Sequence, residues 1–262
     1  MSAWQVQDKV IVITGASKGI GLATAQALAK RGARVALLAR EPVRLEKAAA
    51  QIGGAFAIPT DVCDKAAVER AFEAVVQRWG RVDGVVNNVG FQYARRIEVT
   101  PEDELRKLVD LNFISAVFVC QAAIPRLRKA GGGRIINVSS ASVRHDNEFA
   151  HLGVYSASKA ALDHLTDELR QEVKADGIMV TLFSPGAVNT NSIENFDPAA
   201  VAEAMQAWLE KGPKFDGALQ PEVVGTALAN CFEFPPGVAV EFMELRPNTP
   251  MPKLLESDWK KE

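Results

Sequence analysis

Cysteine, histidine and aromatic residues are all scarce in this chain of 262 residues, which has three Cys, three His and only 7% Phe, Trp and Tyr. Cys63, Cys120 and Cys231 lie far apart, without the paired spacing of a structural zinc site or a redox dithiol, and read as reduced, buried thiols. His145, His151 and His164 offer no metal pair, so metal catalysis is not expected. His151 stands in a loop leading toward Tyr155, and a lone loop histidine is expected to be solvated. An excess of one charge is also missing. With 30 Lys and Arg against 32 Asp and Glu, the net charge of −2 creates no general attraction for nucleic acid or an anionic membrane. No apolar run approaches the roughly 18 residues of a membrane span, and residues 1–9 contain no basic stretch followed by an apolar one. A reducing cytoplasm with no membrane partner is the expectation.

What is present is an ordinary globular balance, 48% apolar and 24% charged, enough to build a sizeable core. Short β-rich runs at 10–13, 34–39, 55–58, 84–87, 134–139, 179–183 and 238–245 alternate with segments of helical period. The helical segments are 19–31, 43–51, 65–79, a long stretch over 101–128, 155–174, 198–211 and 221–231. Such alternation predicts an α/β fold, a doubly wound parallel sheet of about seven strands with helices on both faces. Glycine and proline clusters interrupt the pattern only at element ends, so residues 1–262 read as a single domain. The polar stretch 186–198, with Asn189, Asn191 and Asn195, opens a candidate substrate-loop region spanning about 186–215 and is a candidate lid. Residues 101–107 read as a solvated helix face with an acidic first turn.

The first strand runs into Thr14-Gly15-Ala16-Ser17-Lys18-Gly19-Ile20-Gly21. A small-residue turn opening a helix lets the backbone approach a pyrophosphate near the helix N-terminus. The residue that would face the adenosine ribose, at the end of the second strand, is Ala39. An acid there would repel a 2′-phosphate; Ala39 followed by Arg40, with Lys18 in the turn, removes the repulsion and offers cations. The reading is NADP(H) in preference to NAD(H), with Glu41 the one nearby residue that opposes it.

Tyr155 and Lys159 stand at i and i+4, on one face of the predicted helix. A cation there favours the phenolate and makes the phenol a better proton relay. Three serines, Ser139, Ser140 and Ser142, follow the fifth strand, and a turn-capping role suits Ser139 best.

These motifs occur in one order along nearly the whole chain: Thr14 to Gly21, Asn87-Asn88-Val89-Gly90, the serine-ended strand, Tyr155-x-x-x-Lys159 and Ser184-Pro185-Gly186. In that order the sequence resembles the short-chain dehydrogenase/reductase family, with Val89 where that family more often has alanine. The resemblance implies a Rossmann fold and a homotetramer or homodimer. It further implies a carbonyl or alcohol substrate, with Tyr155 as proton donor, Lys159 holding the nicotinamide ribose and Asn112 helping to hold a water beside the lysine.

For the serine, strand register selects Ser140, while the family's usual interval to the tyrosine selects Ser142. Ser140 is preferred, with a two-residue insertion placed in loop 141–154. By the same resemblance Gly15, Ser17, Lys18, Gly19, Ile20, Gly21, Arg40, Asp61, Val62, Asn88 and Gly90 would line the adenosine and pyrophosphate side. Pro185, Gly186, Val188 and Thr190 would lie beside the nicotinamide, with Tyr155 and Lys159. The expected activity is reduction of a ketone, aldehyde or 3-oxo compound. The alternatives are a 3-oxoacyl thioester reductase, an NAD-dependent alcohol dehydrogenase and a non-catalytic NADPH-binding sensor. Phe91, Gln92 and Tyr93 could line the substrate pocket or simply pack, and residues 244–247 could reach a neighbouring subunit.

Overall fold

The computed structural model describes residues 5–145, 148–190, 197–211 and 215–250. The chain runs β1 (Val10–Thr14), α1 (Gly19–Ala29), β2 (Arg34–Ala39), α2 (Pro42–Ile52), β3 (Phe56–Pro59), α3 (Lys65–Trp79) and β4 (Gly84–Asn87). It continues through α4 (Glu102–Val109), α5 (Ser115–Lys129), β5 (Gly133–Val138), α6 (Gly153–Val173) and β6 (Ile178–Pro185). The last elements are α7 (Pro198–Lys211), β7 (Phe215–Asp216), α8 (Pro221–Asn230), β8 (Phe242–Leu245) and β9 (Thr249–Pro250). Seven strands form one parallel sheet in the order β3-β2-β1-β4-β5-β6-β8. The order reverses between β1 and β4, and a crevice for a ligand opens at the carboxyl ends of the strands beside such a reversal.

The two-residue period of a strand explains the two cores. Val10 and Val12 of β1 pack with residues of α3, α5 and α6, whereas Ile11 and Ile13 pack with residues of α1, α2 and α8. Both sets are fully buried, which is why the strands read as nearly continuous apolar runs. Helix starts follow local chemistry. Pro42 opens α2, and Asp64 caps α3 by accepting from the Ala66 and Ala67 amides at 2.8 and 3.1 Å.

The structure departs from the sequence expectations in several places. The helix expected over 101–128 is interrupted by a π-helical turn, Asp110–Ile114. Taken together, Glu102–Lys129 contains an 18-residue window apolar enough by composition to cross a membrane; half of that window is buried inside the fold. The last strand of the sheet is shorter than 238–245, and the small antiparallel pair β7 and β9 was not anticipated. Cys120 and Cys231 are buried, but Cys63 is half-exposed. Glu104 in the expected solvated face bonds Arg95 at 2.8 Å, and Lys107 lies over the Phe91 ring at 4.3 Å. Asn191 and Asn195 of the candidate lid fall outside the described residues, as do parts of 186–215.

Helices α1 and α8 meet through Gly225, where a Cβ would stand 2.5 Å from the Ala23 carbonyl carbon and 2.7 Å from the Thr24 amide nitrogen. Gly225→Ala is therefore expected to push α8 off α1 at a cost of about 1–3 kcal/mol, lowering the melting temperature by roughly 5 °C in a thermal melt.

Candidate active site

At the β1–α1 turn, Gly15 and Gly19 adopt the left-handed φ of +64° and +56° that favours glycine. A Cβ on Gly21 would fall 2.5 Å from the Gly15 carbonyl oxygen and 2.6 Å from Asn88 Nδ2, and one on Gly19 would meet Thr190 Cγ2 at 3.2 Å. The turn is thus compressed between the ends of β4 and β6. Asn88 fastens it, donating from Nδ2 to the Thr14 and Gly15 carbonyls at 3.0 and 3.4 Å, while its own amide donates to Thr14 Oγ1 at 3.0 Å. Lys18 begins α1 without a side-chain cap on the helix amides. A glycine-rich turn leading into a helix start whose N-cap side chain makes no cap bond fits the pyrophosphate of a dinucleotide.

At the neighbouring edge, Ala39 ends β2 and Arg40 is exposed, with no ion-pair partner among the described residues. Arg40 lies close enough to Cys63 to act on its thiol, which burial and the Asp61 and Asp110 carboxylates push up to about 11. Asp61 is exposed and accepts from the Cys63 amide at 3.0 Å, and the helix cap falls to Asp64. The Val62 side chain is buried in the core with Val10 and Val68, which leaves only its backbone to face the neighbouring crevice edge. Beyond β6, Pro185 is buried and the Gly186 amide donates to Leu245 O at 2.7 Å, while Val188 bridges Leu219. This positions Thr190 over Gly19.

The catalytic candidates converge where β5 ends against α6. Lys159 is 2% exposed, and its ammonium donates to Val138 O at 2.9 Å. Burial pulls the Lys159 pKa down to about 8, against the opposing field of Asp163. Asn112, 1% exposed in the π-helical turn, accepts from the Phe91 amide at 2.8 Å. Its Nδ2 donates to Phe91 O at 2.8 Å and to Ser158 Oγ at 2.9 Å. The turn therefore aims a helix side chain at the loop after β4, a use typical of π-bulges at functional sites. A Cβ on Gly90 would lie 3.3 Å from Lys159 Nζ and 3.8 Å from Asn112 Oδ1, so the glycine lets both approach.

The Ser140 side chain acts on the Tyr155 phenol and favours its ionised form. The Tyr155 pKa stands above the ordinary phenol value, contrary to the expectation that Lys159 would draw it down. Burial is the largest cause, Ser140 opposes it, and Asp163 adds to it. Ser142 sits behind Ser140, their hydroxyls 3.0 Å apart, and its amide donates to Ser140 Oγ at 3.2 Å. Ser140, not Ser139, thus caps the short turn Ala141–Val143. The Ser139 hydroxyl instead donates to the Asp163 carboxylate, a residue the sequence reading passed over. Its spacing, one helical turn past Lys159 on the same face, was the available signal.

Above the site, Ala94, Leu152 and Ala204 form an apolar cluster with Phe149, Tyr155 and Trp208. Phe91 and Tyr93 pack edge to face at 4.5 Å beside Lys107. His151 is half-buried at φ +66°, and its Nδ1 has no partner among the described residues, unlike the solvated ring expected. His145 is no solvated group either. Arg246 donates to its Nδ1 at 2.6 Å, so Nε2 carries the proton and donates to Glu244 at 2.7 Å. Arg246 also pairs with Glu148, so residues 244–246 fold back onto their own chain's loop.

The short chain dehydrogenase family matches residues 9–200. An uncharacterized oxidoreductase of Staphylococcus saprophyticus is 31% identical over 248 residues, which cover 93% of this chain and 98% of the relative. An alcohol dehydrogenase from the archaeon Thermococcus sibiricus, solved with 5-hydroxy-NADP, is 31% identical with a TM-score of 0.79, over 94% of this chain and 100% of that one. A 3-ketoacyl-(acyl-carrier-protein) reductase from Brucella melitensis, solved with NADH, is 25% identical with a TM-score of 0.80, over 92% and 97%.

The buried ammonium has a thermodynamic signature. Folded Lys159 releases its proton near pH 8, while the unfolded chain holds it to ~10.4, so between these values the unfolded state binds more protons and stability rises with pH. Urea unfolding is expected to show the parent chain gaining stability relative to Lys159→Met across that window, and a constant difference below it. Parallel curves throughout would contradict the depressed pKa.

Proposed function

The chain belongs to the short chain dehydrogenase family of oxidoreductases, and from that premise we propose that it reduces a ketone, aldehyde or 3-oxo compound to an alcohol with NADPH. The observation that carries the reading is the convergence of Ser140, Tyr155, Lys159 and Asn112 at the end of β5, beside the glycine cradle. When bound, the nicotinamide cofactor supplies the hydride. The backbone of Gly15 to Gly21 would hold its pyrophosphate, Arg40 with Lys18 its 2′-phosphate, and Pro185 to Thr190 its nicotinamide end.

The roles follow from the chemistry of each group. Tyr155, with its pKa raised, keeps its proton near neutral pH and can give it to the carbonyl oxygen as charge develops there. The Ser140 hydroxyl bonds the same oxygen and stabilises that charge. Lys159 supplies a positive field held against Val138 O, and Asn112 braces Ser158 and the Phe91 loop around it. Three features support NADPH over NADH: no acid at the end of β2, the exposed Arg40, and the NADP analogue bound by the Thermococcus neighbour. The Brucella neighbour favours a second reading, a 3-oxoacyl thioester reductase.

Parallel titrations with NADPH and NADH at one salt concentration are expected to show tighter NADPH binding, weakened about tenfold by Arg40→Ala with NADH little changed. Tighter NADH binding would turn the reading toward alcohol oxidation. Turnover of a carbonyl panel is expected to fall by about 10²–10⁴ in Tyr155→Phe. Cofactor binding with no turnover on ketones or acyl thioesters would favour a sensor.

A further inference from the structure

Helix α6 carries a third ionisable group on the face of Tyr155 and Lys159. Asp163 is 7% exposed, accepts from the Ser139 hydroxyl through Oδ1, and accepts from Arg144 Nη1 through Oδ2 at 2.6 Å. Arg144 in turn covers the Phe242 ring of β8 at 4.2 Å. A carboxylate this buried is costly unless its oxygens are matched, and an apolar side chain would serve stability as well at lower cost. Its two donors bracket Ser140, one residue before it and four after. Tied at both ends to one side chain, the turn holds a single position against α6.

We propose that Asp163 is a positioning residue for the carbonyl reduction: it clamps Ser139 and Arg144 on either side of Ser140, holding that hydroxyl against Tyr155, and sets its negative charge beside Lys159. The assignment rests on the reductive reading above. Ser139, Arg144 and Lys159 are the groups that act on Asp163, while His145, Glu148, Glu244 and Arg246 are engaged with one another over the same loop. The charge of Asp163 favours the protonated form of both Tyr155 and Lys159. Both must be protonated when a carbonyl is reduced, so Asp163 extends activity toward alkaline pH.

The test uses Asp163→Asn, Asp163→Ala and Arg144→Ala, each checked for folding by a thermal melt. Two readouts are taken: the pH profile of kcat with NADPH, and ultraviolet titration of Tyr155 in the cofactor-free protein. The chain has two tyrosines, so Tyr155→Phe supplies the contribution of Tyr93 for subtraction. Asp163→Ala is expected to lose about tenfold or more in kcat, with KM for NADPH changed by less than about twofold. In both Asp163 variants the alkaline limb and the Tyr155 ionisation should move to lower pH, and Asp163→Asn should recover part of kcat without restoring either. Folded Asp163→Asn with an unshifted Tyr155 ionisation and alkaline limb would overturn the proposal. Should the Asp163 variants not fold, Arg144→Ala decides: a loss in kcat supports the clamp, and an unchanged kcat and pH profile removes it. The tyrosine titration needs neither substrate nor cofactor, so a chain inert toward every carbonyl would sink the functional reading and leave this test in force.

Discussion

The end of β5 is joined to α6 by consecutive polar contacts, and the site depends on that seam. Asn137 Nδ2 donates to Thr166 Oγ1 at 2.9 Å, the Val138 carbonyl accepts from Lys159, the Ser139 hydroxyl donates to Asp163, and Ser140 acts on Tyr155. The contacts interleave: Asn137 and Ser139 meet Thr166 and Asp163, while Val138 and Ser140 meet Lys159 and Tyr155, so each step of two residues along the strand matches about one turn back along the helix. Two strand residues rise about 6.6 Å and one helical turn about 5.4 Å, so the two periods stay nearly in phase over this length. Asn87 extends the seam into the sheet by donating to Asn137 Oδ1 at 2.8 Å and to Cys120 Sγ at 3.4 Å. All of these residues but the half-buried Ser140 and Tyr155 are buried, and a buried polar group is costly without its partner, so the seam specifies one alignment of helix on strand.

That alignment explains how the fold can hold an ammonium almost wholly out of water. Lys159 is tolerated because a carbonyl and a carboxylate face it, and because Gly90 leaves room for its terminal nitrogen. The same desolvation that lowers Lys159 raises Tyr155, so burial moves two groups of nearly equal ordinary pKa apart in proton affinity. On the other side of the β1–β4 reversal, constraint takes a different form. There the absence of side chains at Gly15, Gly19 and Gly21 lets three chain segments crowd together.

The fold was largely legible in the sequence. Alternation of two periods produces the sheet because each strand must bury both faces, and the seven strands of the parallel sheet correspond to those expected, with boundaries shifted by a few residues. The π-helical turn at Asn112 was not legible, since one extra residue in a helical turn leaves the apolar pattern of 101–128 almost intact. The fold-back of Arg246 onto His145 and Glu148 was not legible either. It depends on what a distant segment presents.

By itself the sequence determined the order of elements, the glycine turn and the pairing of Tyr155 with Lys159. All three follow from local spacing, because a helix or strand period fixes which near neighbours share a face. Only the tertiary structure gave Ser139 to Asp163, set Ser140 and Ser142 hydroxyl to hydroxyl, and set the direction of the Tyr155 shift. Those outcomes depend on how far each group is removed from water and on which residues more than ten positions away reach it. Neither desolvation nor a long-range hydrogen bond is encoded in the spacing of neighbouring residues.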